Sequence, residues 1–517
     1  MNRAIRLLPS FLTVGAWTLL SRIFGFVRDI FIAGFLGSGP VAEAFLIAFS
    51  LPNMFRRFFA EGAFNMAFVP MFSKKVQAED GAKEFATDAL SGLTGILVVF
   101  TVISQIAMPW LVLAMASGFQ GDERFDLAVY FGRIAFPYIL FISLAALLSG
   151  VLNSLGRFAA AAAAPVLLNI IFIASMGLAY LAGWDIGNAL VWAVPIAGIA
   201  QLVLLWIAAS RAGMRLIPRR PKLTPELKRL AIIAAPAALA GGVVQINLLV
   251  GRQVASFFDG AIAWLNYADR LYQLPLGLVG VAIGVVLLPD LSRRLQAGDA
   301  KGGQDAFNRA TEFSLVLTLP AAVALIAIPL PLVSILFERG AFTQSDSIST
   351  AYAVAIYGLG LPAFVLLKTV TPLYFAREDT KTPFKYALVS MVINVVIAVG
   401  LMGVMGYLAA ALGTTLAAWG NFFLLWRGTK TMDGAATIDA RLARAAPRIL
   451  AASVLMGVVI WAGAGMISPY LEGGFIRYLA LLGLVVFGGA VYGISVVIMG
   501  GVRQSDLKAA LSKNRSS

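Results

Sequence analysis

Apolar runs of about 20 residues, long enough to cross a bilayer as α-helices, recur along almost the whole chain and are separated by short polar punctuation. Fourteen can be delimited, near 10–36, 42–68, 88–113, 127–152, 159–182, 188–209, 230–256, 262–289, 311–337, 350–373, 384–404, 406–426, 446–467 and 475–500. They are continuous and rich in Ala, Leu and Gly rather than alternating, so they predict helices and not the strands of a membrane barrel. The expected class is an all-α polytopic membrane protein with about 14 transmembrane helices.

The pattern also repeats. PMFSKKVQAED at 70–80 matches PDLSRRLQAGD at 289–299, with five identities in eleven positions at an offset of 219. Pro109 and Gly118 pair with Pro331 and Gly340 at 222, and Pro137 and Asn169 with Pro362 and Asn394 at 225. Ordered drift of this kind predicts two copies of one six-helix unit, parallel in topology, plus two C-terminal helices. The expected plan is a first bundle at 1–210, a basic linker at 211–229 and a second bundle at 230–426. A loop at 427–445, two further spans at 446–500 and a tail at 501–517 complete it. After Thr224–Pro225 the linker is expected to hold a short helix, or to be a solvated basic connection. Transporters built from such repeats place their substrate between the halves and alternate access by rocking one against the other.

Polar residues break into the runs at few places. SRIFGFVRD, residues 21–29, puts two arginines and an aspartate inside the first span. Across the chain, eight basic residues lie within spans: Arg22, Arg28, Arg56, Arg57, Arg133, Arg252, Arg270 and Lys368. The acids at that depth are four: Asp29, Glu43, Glu61 and Asp269. An arginine at the bilayer centre costs about 2.5–3.5 kcal/mol even on lenient scales, so such residues must face water, one another or a ligand.

Spacing groups them. Ser21, Gly25 and Arg28 share one helical stripe, with Arg22 and Asp29 on the next. Glu43, Ser50, Arg57 and Glu61 recur at seven, seven and four, with Asn53 three residues before Arg56 and a kink expected at Pro52. Asn266, Arg270 and Gln273 line one face of the eighth span. Ion pairs such as Arg28–Glu43 or Arg57–Glu61 would account for some of these charges, and pairing or snorkelling is expected for Arg133, Arg252 and Lys368. Four acids cannot neutralise eight cations. The surplus predicts a wet cationic cavity for an anionic substrate, lined by Arg22, Arg28, Arg56 and Arg270, with Asp29 setting their geometry. Guanidinium forks suit phosphate oxygens.

Composition narrows the function. The 517 residues are 60% hydrophobic and 13% charged, against roughly 25% charged in soluble proteins. No cysteine and no histidine are present, which excludes Cys–His and Ser–His–Asp catalysis and zinc-thiolate sites. The N-terminal MNRAIRLLPS lacks a signal-peptide cleavage pattern and is expected to be retained.

The net charge of +14 is distributed by topology. Of the 40 basic residues, 29 fall in the termini and alternate loops, while the opposite loops hold Arg124, Arg339 and Arg477. By the positive-inside rule both termini are expected in the cytoplasm, and a nucleic-acid stripe would not alternate in this way. A drug antiporter would need an acidic cavity, and a membrane transferase a positioned base or metal-binding carboxylates; neither is visible. No metal site or cofactor is expected, with Asn394, Thr414 and Thr415 the weak candidates for a sodium ion.

Four stretches carry a resemblance: SRIFGFVRD, AEAFLIAFSLPNMFRRFFAEGAFNMAFVP, YADRLYQLP and REDTKTP. Together they resemble the MurJ (MviN) family of lipid II flippases, in the multidrug/oligosaccharidyl-lipid/polysaccharide exporter superfamily, over nearly the whole chain. The resemblance implies export of the undecaprenyl-pyrophosphate-linked peptidoglycan precursor to the outer leaflet of a bacterial cytoplasmic membrane. It implies cavity arginines at Arg22, Arg28, Arg56 and Arg270, with Ser21, Asn53 and Glu61 around them and Glu43 paired with the first-span arginines. Asp29, Arg57, Asp269 and Gln273 complete the expected ion-pair and gating set. The last two spans are implied to form a groove for the lipid tail. Lipid II and membrane lipids are the implied partners, with cell-wall synthesis machinery a further candidate and no nucleic acid. Two departures stand out: the acid at 43 is often Asp in the family, and Gln273 stands where a family member has Glu. The alternative is a flippase for another polyprenyl-pyrophosphate glycan such as O-antigen.

Overall fold

The structure is a computed structural model that describes residues 7–56, 63–432, 434–471 and 473–502. Arg57 and Glu61 lie outside the described residues. Among those described there is no β-strand, only an isolated bridge between Arg339 and Phe342. Ten helical stretches there are long and apolar enough to cross a membrane. Exposed apolar stripes, such as Val392, Val396 and Val399 or Leu482 and Val486, suit hydrocarbon rather than water.

The chain divides into two compact units, at 1–263 with 339–342, and at 264–338 with 343–517. The first unit holds α1 (Leu7–Leu36), α2 (Pro40–Arg56), α3 (Ala63–Ala78), α4 (Ala82–Ile106), α5 (Met108–Met115), α6 (Glu123–Ala135), α7 (Tyr138–Ser154), α8 (Ala159–Ala182), α9 (Ile186–Arg211) and α10 (Pro225–Ser256). Within it α1 lies along α8, α2 on α6, and α9 against α7 and α8.

Two details of this unit differ from expectation. Thr224 caps the helix that follows by accepting from Leu227 N–H at 3.2 Å, and Pro225 occupies its first position. What starts there is α10 itself, with 32 residues and no interruption. The linker is largely exposed, as a solvated connection is, but it is tethered at two points. Arg219 donates through its backbone to Ser91 Oγ at 2.9 Å and through its side chain to Asp88, and Leu216 is buried. The segment is strapped onto α4.

The second unit continues α11 (Ala261–Gln296) from Trp264 onward. It adds α12 (Ala300–Ala327), α13 (Pro329–Phe337), α14 (Gln344–Phe375), α15 (Lys381–Met405), α16 (Leu408–Gly428), α17 (Ala440–Met466), α18 (Ser468–Leu471) and α19 (Ile476–Ile498). Here α14 packs between α12 and α16, and α15 against α16. The chain's last two long helices attach through α17, which lies along α12 and carries α19. Ile328, Met456, Ile460, Ala464 and Leu484 form the apolar seam of that attachment.

Spans 3 and 9 of the sequence pattern are each broken in the structure. The breaks fall at Ala107, between α4 and α5, and at Ile328, between α12 and α13. Pro109 and Pro329 stand in the first turns that follow, where they have no N–H to donate to the preceding helix, and each break coincides with one of them.

Candidate substrate-binding site

The first-span charges sit on α1 where it packs along α8. Arg28 and Asp29 are buried, Ser21 is partly exposed and Arg22 is exposed. Arg28 Nε and Nη2 both donate to Asp29 Oδ1, at 3.0 and 2.7 Å. Its Nη1 donates to Asn169 Oδ1 on α8 at 2.9 Å. The guanidinium also lies over the Phe172 ring, 5.7 Å from its centroid, a cation–π contact.

Asn169 returns the contact by donating its amide to the Ser21 and Pro165 carbonyls at 3.1 and 3.2 Å. A Cβ at Gly25 would stand 3.5 Å from the Asn169 amide nitrogen, an ordinary contact, so the arrangement does not depend on the glycine. SRIFGFVRD thus forms a clip in which Asp29 and Asn169 fix the plane of one guanidinium. Arg28 spends three of its five N–H donors there.

On α2, Asn53 donates to the Phe49 carbonyl at 2.7 Å, so its amide donor serves the helix around Pro52. Arg56 is partly buried in the last turn of that helix. Glu43 is buried and does not pair with the first-span arginines. Its Oε2 accepts from Arg124 Nη1 at 3.0 Å, and its Oε1 from the backbone N–H of Ile262 at 3.0 Å. Arg124 also meets Asp122 and, at 2.9 Å, Asp259. Its guanidinium stacks 4.6 Å from the Phe119 centroid. The Glu43 stripe of α2 faces α6, whereas Arg28 faces α8.

Arg124 was legible only as one of three cations on the sparsely charged side of the membrane. A buried cation needs a buried acid, and Glu43 near the start of its span was the available signal. Asn169 carried a signal too, as an amide inside an apolar run that recurs at Asn394.

In the second unit, Asp269 and Arg270 are partly buried on α11. Gln273, one turn on, donates to Asp269. A glutamate there would set two carboxylates side by side; the amide instead satisfies one. Arg133 and Lys368 are exposed.

A family model described as lipid II flippase MurJ matches residues 32–481. The chain belongs to that family. It is 43% identical to a probable lipid II flippase MurJ of Rhizobium meliloti (strain 1021) over 520 residues, covering 99% of this chain and 97% of the relative. A lipid II flippase MurJ of Burkholderia cenocepacia is 36% identical over 434 residues, with 82% of this chain and 84% of the relative covered. Among solved structures, a lipid II flippase MurJ in an inward closed conformation aligns with a TM-score of 0.79 at 26% identity, covering 94% of this chain and 98% of that one. An inward-facing MATE-family transporter of the MOP superfamily aligns at 0.66 and 14% identity, covering 83% of this chain and 99% of that one, which shows the shared fold. The MurJ family is one of transporters, and the chain is a multi-pass membrane protein of that kind.

Proposed function

We propose that this protein moves lipid II from the inner to the outer leaflet of the bacterial cytoplasmic membrane by alternating access. The observation that carries the proposal is the family match across residues 32–481, supported by relatives aligned end to end. Fourteen spans, two parallel six-helix repeats with two added helices, and both termini in the cytoplasm belong to the same proposal. The matching proline-linked breaks after α4 and α12 support the repeat, and the alternation of basic loops supports the orientation.

Arg22, Arg28, Arg56 and Arg270 take the pyrophosphate, with Ser21 and Asn53 beside them. Asp29 and Asn169 present the Arg28 fork. Asp269 and Gln273 act on Arg270 from its own helix. Arg57 and Glu61 belong to the same polar stripe by sequence. Glu43 acts with Arg124 rather than at the anion. Lipid II carries roughly two negative charges at its pyrophosphate, so outward movement under an inside-negative potential gains about 2.3 kcal/mol per charge per 100 mV. The membrane potential suffices as a driving force.

The test is depletion and rescue in a bacterium lacking its own lipid II flippase, scoring precursor exposed on the outer leaflet. Wild-type rescue that is lost in Arg28→Ala and Arg270→Ala at equal expression ties export to the cationic site. Rescue by all three makes those arginines structural. Failure of inserted wild type redirects the assignment to another polyprenyl-linked glycan.

A further inference from the structure

A second cationic feature lies wholly within the second unit, where α16 ends. There residues 429–432 and 434–438 border an open cleft of about 480 Å³, lined among others by Phe423, Trp426, Arg427, Lys430, Thr437 and Ile438. This volume is within the range of sites that hold small organic ligands. Its two faces differ in chemistry. Phe423, Trp426 and Ile438 are exposed apolar side chains, and the exposed cations are Arg427 in the last turn of α16 and Lys430 in the 3-10 turn that follows it.

The cations are uncommitted. A helix C-terminus ordinarily offers its own carbonyls to nearby basic groups. Here neutral hydroxyls take them: Tyr374 donates to Leu425 O at 2.6 Å, Thr429 to Trp426 O at 2.6 Å, and Thr431 to Gly428 O at 2.9 Å. Among the described residues no carboxylate lines the cavity or lies within salt-bridge distance of Arg427 or Lys430; Asp433, the acid of this turn, is outside them.

The wall is also held in place. Thr437 O accepts from Gln304 and Asn308 of α12 at 3.0 and 2.9 Å, and Asn308 Oδ1 accepts from Asp439 N–H at 3.1 Å. Trp426 stacks on Phe422, and Phe423 on Trp419. The cavity therefore exists before any ligand arrives, which lowers the cost of binding.

We infer that this cavity binds the phosphodiester headgroup of an anionic glycerophospholipid. Arg427 and Lys430 take the phosphate, and acyl chains run along Phe423 and Ile438. Two basic groups beside an aromatic at the membrane–water boundary supply the charge and the amphipathic surface that such a lipid requires. The inference rests on the membrane-spanning placement of α16 in the proposed function and not on which substrate is exported.

The test is native mass spectrometry of the purified full chain, titrated in detergent with phosphatidylglycerol or phosphatidylcholine. Wild type is expected to retain phosphatidylglycerol preferentially. Arg427→Gln/Lys430→Gln should weaken that retention by roughly 30-fold, about 5-fold per cation, leaving phosphatidylcholine unchanged. Arg427→Lys/Lys430→Arg should restore it. If the double variant does not fold, the two single glutamine variants carry the same prediction at about 5-fold each.

Undiminished retention by the glutamine variants overturns the inference. So does equal retention of phosphatidylcholine, which would mark a groove blind to headgroups. Competition by inorganic phosphate at the lipid's own concentration overturns it in favour of a free-phosphate site. Export is scored separately in the rescue assay, so selective lipid retention without lipid II export supports this inference and counts against the proposed function alone.

Discussion

The Glu43 carboxylate and the Arg124 guanidinium meet at 3.0 Å, both nearly excluded from solvent, and join α2 to α6. The two partners are not equally replaceable. Without Arg124, Glu43 keeps only neutral backbone partners, Gly260 and Ile262; without the Glu43 charge, Arg124 keeps the carboxylates of Asp122 and Asp259. Breaking a buried pair from one side costs about 3–5 kcal/mol. Arg124→Ala should therefore lower thermal stability in detergent by that order, and Glu43→Gln by clearly less. Equal losses, or the reverse order, would show that the network does not hold the charge as described.

Asn169 should matter as a positioning residue. Asn169→Ala removes both the grip on Arg28 and the bond to the Ser21 carbonyl. A hydrogen bond to a charged group is worth about 1.5–3 kcal/mol. At equal expression, lipid II export should fall roughly 10-fold or more if that energy holds the fork in place. A fall in membrane abundance alone, with specific activity kept, would make Asn169 a packing residue.

Asp439 opens α17 and gives a pH-dependent prediction outside the spans. Burial would raise its carboxyl pKa, but the Leu442 N–H it accepts at 2.6 Å and the Arg309 guanidinium outweigh burial and hold it below the usual range. A depressed pKa contributes stability above the unfolded-state pKa of about 3.9, lost as pH falls through the folded value. Asp439→Ala should cost about 1 kcal/mol or more, with the same deficit at pH 7 and pH 5. The gap to wild type should narrow only below about pH 4. A gap that already narrows between pH 7 and pH 5 would contradict this.

The linker strap is testable by protease. Arg219 is half exposed, so its pair with Asp88 adds at most about 1 kcal/mol to global stability. Its effect is local. Arg219→Ala should leave the melting temperature almost unchanged while trypsin cleavage between Arg211 and Lys222 accelerates several-fold. An unchanged cleavage rate would mean that buried Leu216 holds the segment without the arginine.

Much of this protein was determined by its sequence alone. The all-helical membrane class, the helix-forming segments and the family follow from run length, composition and the LPN-x-x-RR-x-FAEGAF block, all of which are local along the chain. Asp29 was legible as an acid that sets the geometry of the first-span arginines, but the partner read for Arg28 was Glu43, because neighbouring residues on a helix point along different stripes. The Arg28–Asp29 pair came from the structure. Proline marked the breaks after α4 and α12, yet hydropathy ran across both and hid them. Only the tertiary structure decided which faces meet. It gave Glu43 to Arg124, Asn169 to Arg28 and the linker to α4, and it carried the helix after Thr224 on for 32 residues. A carboxylate's position along a helix gives its stripe, but its partner depends on how neighbouring helices are rotated and packed. That is a property of the assembled bundle, not of any one segment.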